Sequence, residues 1–155
     1  MLPVELSNGI CSLNAGEDRL SMCAEMEIDA NGSVIKYDIF PTVIHVYRRL
    51  TYKLVNRILV EKDTQMIEDN QDILPLLHNL EAVYKVLNKR RQMRGAIDFD
   101  IPEVKVKLNA KGQAVGLVKR EHGLGESIIE ECMLVANETV AEYMAKKELP
   151  FYLSC

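Results

Sequence analysis

An α+β fold, with antiparallel β-hairpins packed with several α-helices, is predicted by three features of this 155-residue chain. Residues 19–29 alternate apolar and polar side chains and lead into Asn31-Gly32, a hairpin turn signal. Leu76, Leu77, Leu80, Val83, Tyr84 and Leu87 follow the i, i+3, i+4, i+7 spacing of an amphipathic helix. The stretch IIEECMLVANETVAEYM, from Ile128 to Met144, is strongly apolar at helical period, yet carries two adjacent carboxylates.

In chain order, Leu20, Met22, Ala24, Met26 and Ile28 alternate against Ser21, Cys23, Glu25 and Glu27, as in a half-buried strand. Asn31-Gly32 predicts a type I′ turn, and Ile35, Tyr37 and Ile39 then share one face of a returning strand. Pro41 cannot donate to a ladder, so it marks a bulge or an edge before the apolar stretch Val43 to Tyr47. From Thr51 the period becomes helical, with Leu54, Val55, Ile58 and Leu59 on one side; the polar segment Glu61 to Gln71 reads as a loop. The longer helix follows, with Asp72 as its cap, Pro75 in its first turn and Gly95 at its end. Val104, Val106 and Leu108, a turn at Lys111-Gly112, and Val115 and Leu117 make a second hairpin. The glutamate-bearing helix begins after Gly123 and Gly125.

A hydrophobic content of 48% with 27% charged residues is that of a globular chain, and the length suits one ordinary domain. No apolar run approaches the roughly 18 residues of a membrane span, and the start MLPVELSNG lacks a secretory pattern; a soluble, cytoplasmic protein is expected. Cys11, Cys23, Cys132 and Cys155 stand singly, without zinc or redox spacing, and are expected to be free thiols, with Cys23 and Cys132 in the core. His45, His78 and His122 lack ligand-like spacing and read as ordinary histidines. The absence of GxSxG, P-loop and GxGxxG patterns removes serine hydrolase, NTPase and dinucleotide readings.

A net charge of −4 excludes long-range attraction to a polyanion, so nucleic-acid binding would have to be local. Two basic clusters could supply it: Arg48, Arg49, Lys53 and Arg57, and Lys89, Arg90, Arg91 and Arg94, although the second also suits the negative pole of a helix end. Asp18 and Arg19 suggest a local ion pair. Asp98 and Asp100 alternate onto one strand face, where they could hold a metal weakly or simply mark a solvated edge before Pro102. On the last helix Ile128, Cys132, Val135, Ala136, Thr139, Val140 and Tyr143 form a broad apolar face, Glu130 falls outside it and Glu131 at its border. Such carboxylates either meet a cation or a ligand hydroxyl, or complement the helix N-terminus in solvent.

The segment LPVELSNGICSLNAGEDRLSMCAEMEID resembles a stretch of the catalytic (RNB) domain of the ribonuclease II and ribonuclease R family. RRLTYKLV, RRQMRGAIDFDIPE and IIEECMLVANE extend the resemblance in the family's order, most nearly to ribonuclease R. It implies an α+β architecture and processive 3′ to 5′ hydrolysis of single-stranded RNA with Mg2+ held by clustered aspartates. From pattern alone Tyr52 reads rather as a core aromatic at a helix start, but it matches a family tyrosine that holds the RNA 3′ end, and the resemblance turns the reading to binding. Glu130 and Glu131 match an acidic pair of which one accepts from a ribose 2′-OH, a contact that separates RNA from DNA. Arg48, Arg49 and Lys53 are the expected basic contacts beside Tyr52.

The family's aspartate motif lies upstream of the matched segment and its phosphate-contacting arginine downstream. Residues 1–155 are therefore expected to form a portion of an RNB domain, with no catalytic or metal-ligating residue of their own and no tightly bound cofactor. Gene fragment, frameshifted product and split subunit all fit, as do a companion chain or self-association through exposed apolar faces, expected around Ile128, Val135, Val140 and residues Pro150 to Leu153. A non-catalytic RNA-binding or interaction module is the rival expectation. Gly125 and Glu126 depart from the Ala-His that relatives tend to carry just before the helix.

Overall fold

A computed structural model describes residues 3–96, 104–110, 112–119 and 122–148. A π-helical stretch, Glu5–Ile10, precedes β1 (Asp18–Ile28) and β2 (Val34–His45), and then α1 (Tyr52–Leu59), α2 (Thr64–Glu68) and α3 (Leu74–Met93) follow. β3 (Val104–Leu108), β4 (Ala114–Lys119) and α4 (Leu124–Lys146) complete the order. The two sheets are two-stranded antiparallel hairpins, so the α+β class expected from the sequence is the one observed.

The β1–β2 turn differs from the expected type I′. That type needs two successive residues at positive φ, but here Gly32 alone has one, at 83°. Asp29 builds the turn instead: its carbonyl accepts from Gly32 N–H, and its carboxylate accepts from Asn31 and Ser33 N–H at 2.9 and 2.8 Å. These donors, Ser33 foremost, hold the Asp29 carboxyl below its usual range. Pro41 lies in an unbroken β2 opposite Met22, on a strand with a free edge, and the register shift falls at Glu27/Ile28. At the strand entrance Arg19 pairs with Glu17, and Asp18 pairs with His45 at 2.7 Å, so Asp18 and Arg19 do not pair with each other.

Thr51 caps α1 by accepting from Leu54 N–H at 3.3 Å. The segment expected to be a loop contains α2, capped by Asp63, which accepts from Met66 N–H at 3.2 Å. Asp72 does not cap α3; Ile73 holds that position without a side-chain bond, because the Asp72 carboxylate is taken by Arg48 at 2.9 Å. Pro75 does sit in the first turn of α3, and Gly95 follows the helix end with φ 82°.

Ile58, Ile73 and Leu77 form the buried centre of α1, α2 and α3, with Leu54, Val55, Met66 and Ile67 packed around them. α4 lies across α1 and α3 and buries Gly125, Ile128, Glu131, Val135 and Thr139. Ile128 and Val135, expected among the exposed apolar residues, are 3% and 7% exposed because α1 and α3 cover that stripe. The hairpin joins at the far end of α4, where the Met26 sulfur lies 3.3 Å from Thr139 Oγ1, whose proton goes to the Val135 carbonyl at 2.8 Å, and Tyr37 meets Tyr143 edge-on with ring centroids 6.4 Å apart. Only half of the hairpin's apolar face is covered this way; Leu20 and Met22 remain 82% and 67% exposed. Val104, Val106, Leu108, Val115 and Leu117 of the second hairpin are exposed as well. Residues Pro150 to Leu153, Asp98, Asp100 and Lys111 lie outside the described residues.

Candidate nucleic-acid interface

Thr51 starts α1 at Tyr52, which leaves the phenol at the helix's open end, 42% exposed rather than in the core. It faces the outer surface of α4. Tyr52, His122, Glu126, Ile129, Glu130, Met133, Leu134 and Asn137 line a groove of about 490 Å³. Positions 126, 130, 133 and 137 recur at helical spacing, so this second face of α4 is legible as a stripe, although the sequence marks Glu130 as an RNA contact and Glu126 only as a departure from the family pattern. Ile129 and Met133 are 40% and 59% exposed there, which gives the groove an apolar floor between polar ends.

The two adjacent glutamates part company across the helix. Glu130 opens onto the groove, with the His122 imidazole 3.4 Å away. Glu131 points to α3, is 4% exposed, and accepts from Arg91 Nε at 2.6 Å and Asn88 Nδ2 at 3.3 Å. A carboxylate at that depth is tolerable only with such donors. Its charge also joins burial in pushing the neighbouring Cys132 thiol upward, burial being the larger cause.

A joint between α1 and the start of α4 sets the groove's width. Asn56 donates to Glu126 at 3.1 Å and accepts from Gly125 N–H at 2.7 Å, so one α1 carboxamide serves as a cap for α4. Glu126 also accepts from Gly123 N–H at 3.2 Å. Burial would raise its carboxyl, but the Asn56 donor and the nearby backbone N–H groups outweigh that and hold it below the usual range. A Cβ at Gly123 would run into the Asn56 carboxamide, and one at Gly125 would press on Val55 and Asn56. The departure at Gly125-Glu126 is thus built into this joint.

The basic clusters divide in a similar way. Arg48 bridges Asn70 at 3.0 Å and Asp72 at 2.9 Å and lies over the Tyr47 ring, so most of its charge is already met. Arg49 and Lys53 are exposed. In the second cluster, Arg90 donates to the Gly32 carbonyl at 2.7 Å, Arg91 holds Glu131, and Arg94 grips Glu138 through two bonds of 3.2 and 3.0 Å. Three arginines therefore act as tertiary ties between α3, the hairpin turn and α4. Among the described residues no group of three or more His, Cys, Asp or Glu side chains could hold a metal ion, and no helix is long and apolar enough to cross a membrane. A divalent cation therefore finds no donor set among these residues.

A family model described as the RNB domain matches residues 1–155. Ribonuclease R of Thermotoga maritima is 45% identical over 152 residues, covering 97% of this chain and 21% of that protein. Ribonuclease R of Escherichia coli is 37% identical over 150 residues, covering 97% of this chain and 18% of the relative. A solved structure of Mycoplasma genitalium RNase R in complex with ribose methylated single-stranded RNA superposes with a TM-score of 0.82 at 28% identity, covering 95% of this chain and 22% of that one. The complex of the same enzyme with double-stranded RNA gives 0.83, with 96% and 26% covered. The chain spans about a fifth of the length of these curated relatives, 21% and 18%. With the family model matched over residues 1–155 and a ribonuclease R 45% identical over 97% of it, this chain belongs to the RNB family of ribonuclease R.

Proposed function

We propose that residues 1–155 form part of the RNA channel of a ribonuclease R-type 3′ to 5′ exoribonuclease, and that single-stranded RNA runs along the groove between α1 and α4. The observation that carries this reading is the meeting of Tyr52 and Glu130 in one groove although they are far apart in sequence. A phenol can stack on a base and donate to a sugar or phosphate, and a carboxylate beside it can accept from a 2′-OH, which DNA lacks. Ile129 and Met133 offer a sequence-tolerant apolar floor. Exposed Arg49 and Lys53 next to Tyr52 supply phosphate contacts, while Arg48 would have to share its guanidinium with Asp72. Of the glutamate pair we assign the RNA contact to Glu130, because it opens onto the groove while Glu131 is taken by Arg91.

Hydrolysis by this family's route needs Mg2+ on several converging carboxylates, and no such set stands among the described residues. The chain alone therefore binds without cutting, and cleavage requires the remainder of the domain, from a companion chain or from further sequence. A second reading, an interaction module without catalysis, is favoured by the bare apolar half of the first hairpin, where Leu20, Met22, Pro41 and Val43 lie together. Affinity for a short single-stranded RNA, measured for the wild type, Tyr52→Ala and Lys36→Ala, tests the channel reading. Tyr52→Ala should cost about 1 to 3 kcal/mol, the usual worth of a base–aromatic stack, and Lys36→Ala, on the distant hairpin, almost nothing. Equal small effects for both would remove Tyr52 from the site.

A further inference from the structure

The α1–α4 groove contains a charge conflict: Glu126 and Glu130 place two carboxylates on its wall, and an RNA strand brings phosphates of the same sign. Glu126 is committed to Asn56 and the Gly123 N–H, so its charge is met inside the joint. Glu130 is 50% exposed, and the described group that faces it is His122, which stands 3.4 Å away in the segment leading into α4. Among the described residues the ionisable groups that line the groove with the imidazole are Glu126 and Glu130 from α4 and the Tyr52 phenol from α1. Arg120 and Glu121 precede it in sequence and lie outside the described residues. An imidazole changes charge between about pH 5 and 8, which no other group of this groove does from its ordinary value.

We infer that His122 is a positioning residue for RNA in this groove: protonated, it offsets the Glu130 charge and fixes that carboxylate for a ribose hydroxyl; neutral, it leaves Glu130 to repel the phosphates. The inference rests on the RNA-channel reading and adds to it a pH dependence seated in one residue. Its sign follows from the pair. Lowering the pH charges His122, the repulsion falls, and RNA binds more tightly. An exposed ion pair is worth little, so the gain should be about two- to five-fold in affinity between about pH 8 and about pH 6.

The test is the affinity of the full chain for a short oligouridylate, whose bases do not gain protons in this range, and for its deoxy counterpart, at both pH values. His122→Gln should bind with the same affinity at about pH 8 and about pH 6, without the gain that the wild type shows on acidification. His122→Lys, a cation throughout, should show the low-pH affinity at both. Glu130→Gln should lose both the pH dependence and part of the preference for RNA over DNA. Retention of the full pH dependence by His122→Gln would overturn the inference and leave RNA binding intact. No RNA binding by the wild type at either pH would overturn both the inference and the channel reading.

Discussion

Consecutive side chains on a helix point about 100° apart, so Glu130 and Glu131 cannot share one environment, and the apolar residues around them decide which turns inward. The sequence alone put Glu131 at the edge of the apolar face and Glu130 beyond it, which is the order found. What it could not supply was the partner, since Arg91 stands 40 residues away and reaches Glu131 only because α3 and α4 pack side by side. The same limit applies to the second basic cluster, whose arginines looked available until their tertiary partners were known. Removing one member of a buried pair strands the other, at a typical cost of about 3 to 5 kcal/mol, whereas replacing both with apolar residues of similar size is often neutral. Glu131→Ala should therefore lower the midpoint of chemical denaturation strongly, and Arg91→Met with Glu131→Leu should recover most of the loss. A single Glu131→Ala change without effect would mean that the tie contributes nothing to the α3–α4 contact.

At the scale of elements, sequence reading succeeded where a pattern was long and failed where geometry was local. The first hairpin, α1, α3 and α4 each carry a periodic run of apolar residues, and each was found. α2 has five residues, too few for a period to emerge, and only Asp63 three positions before Met66 announced it. The turn after β1 was misread because Asn-Gly favours two positive φ values, whereas the Asp29 carboxylate stabilises a turn that needs one. The α1–α4 joint is invisible to any periodicity, as it rests on the Asn56 carboxamide, the Glu126 carboxylate and two bare glycines. It should also be acid-sensitive. The Glu126 carboxyl lies below its ordinary value, so its contribution is complete above the unfolded-chain range of about 4.3 and is lost as the pH falls through the lower folded value. Thermal melts on either side of that window should show a decline that Glu126→Gln reduces; an unchanged acid limb in this variant would place the sensitivity elsewhere. Gly123→Ala, by expelling Asn56, should loosen α4 from α1 at every pH.

At the scale of the whole molecule, apolar side chains stay open to solvent on several elements at once. Among the described residues the open apolar surfaces are the bare half of the first hairpin, the second hairpin, and the Ile129–Met133 side of α4. The sequence led to the expectation of exposed apolar faces but put one on the wrong side of α4, because the buried and open stripes of a helix that is apolar almost all round look alike until its neighbours are placed. Contiguous apolar patches beyond about 300 to 600 Å² are rare on monomers, so the isolated chain should bind a hydrophobic dye or self-associate. A monodisperse monomer that melts cooperatively and leaves the dye dark would instead favour an autonomous interaction module. The central claim, that RNA lies in the groove between α1 and α4, is tested most directly by photo-crosslinking the full chain to a short thiouridine-containing RNA and mapping the modified peptides. Adducts on the peptides that carry Tyr52 and residues 129–137 are the predicted result; adducts confined to the β1–β2 or β3–β4 hairpin would contradict it.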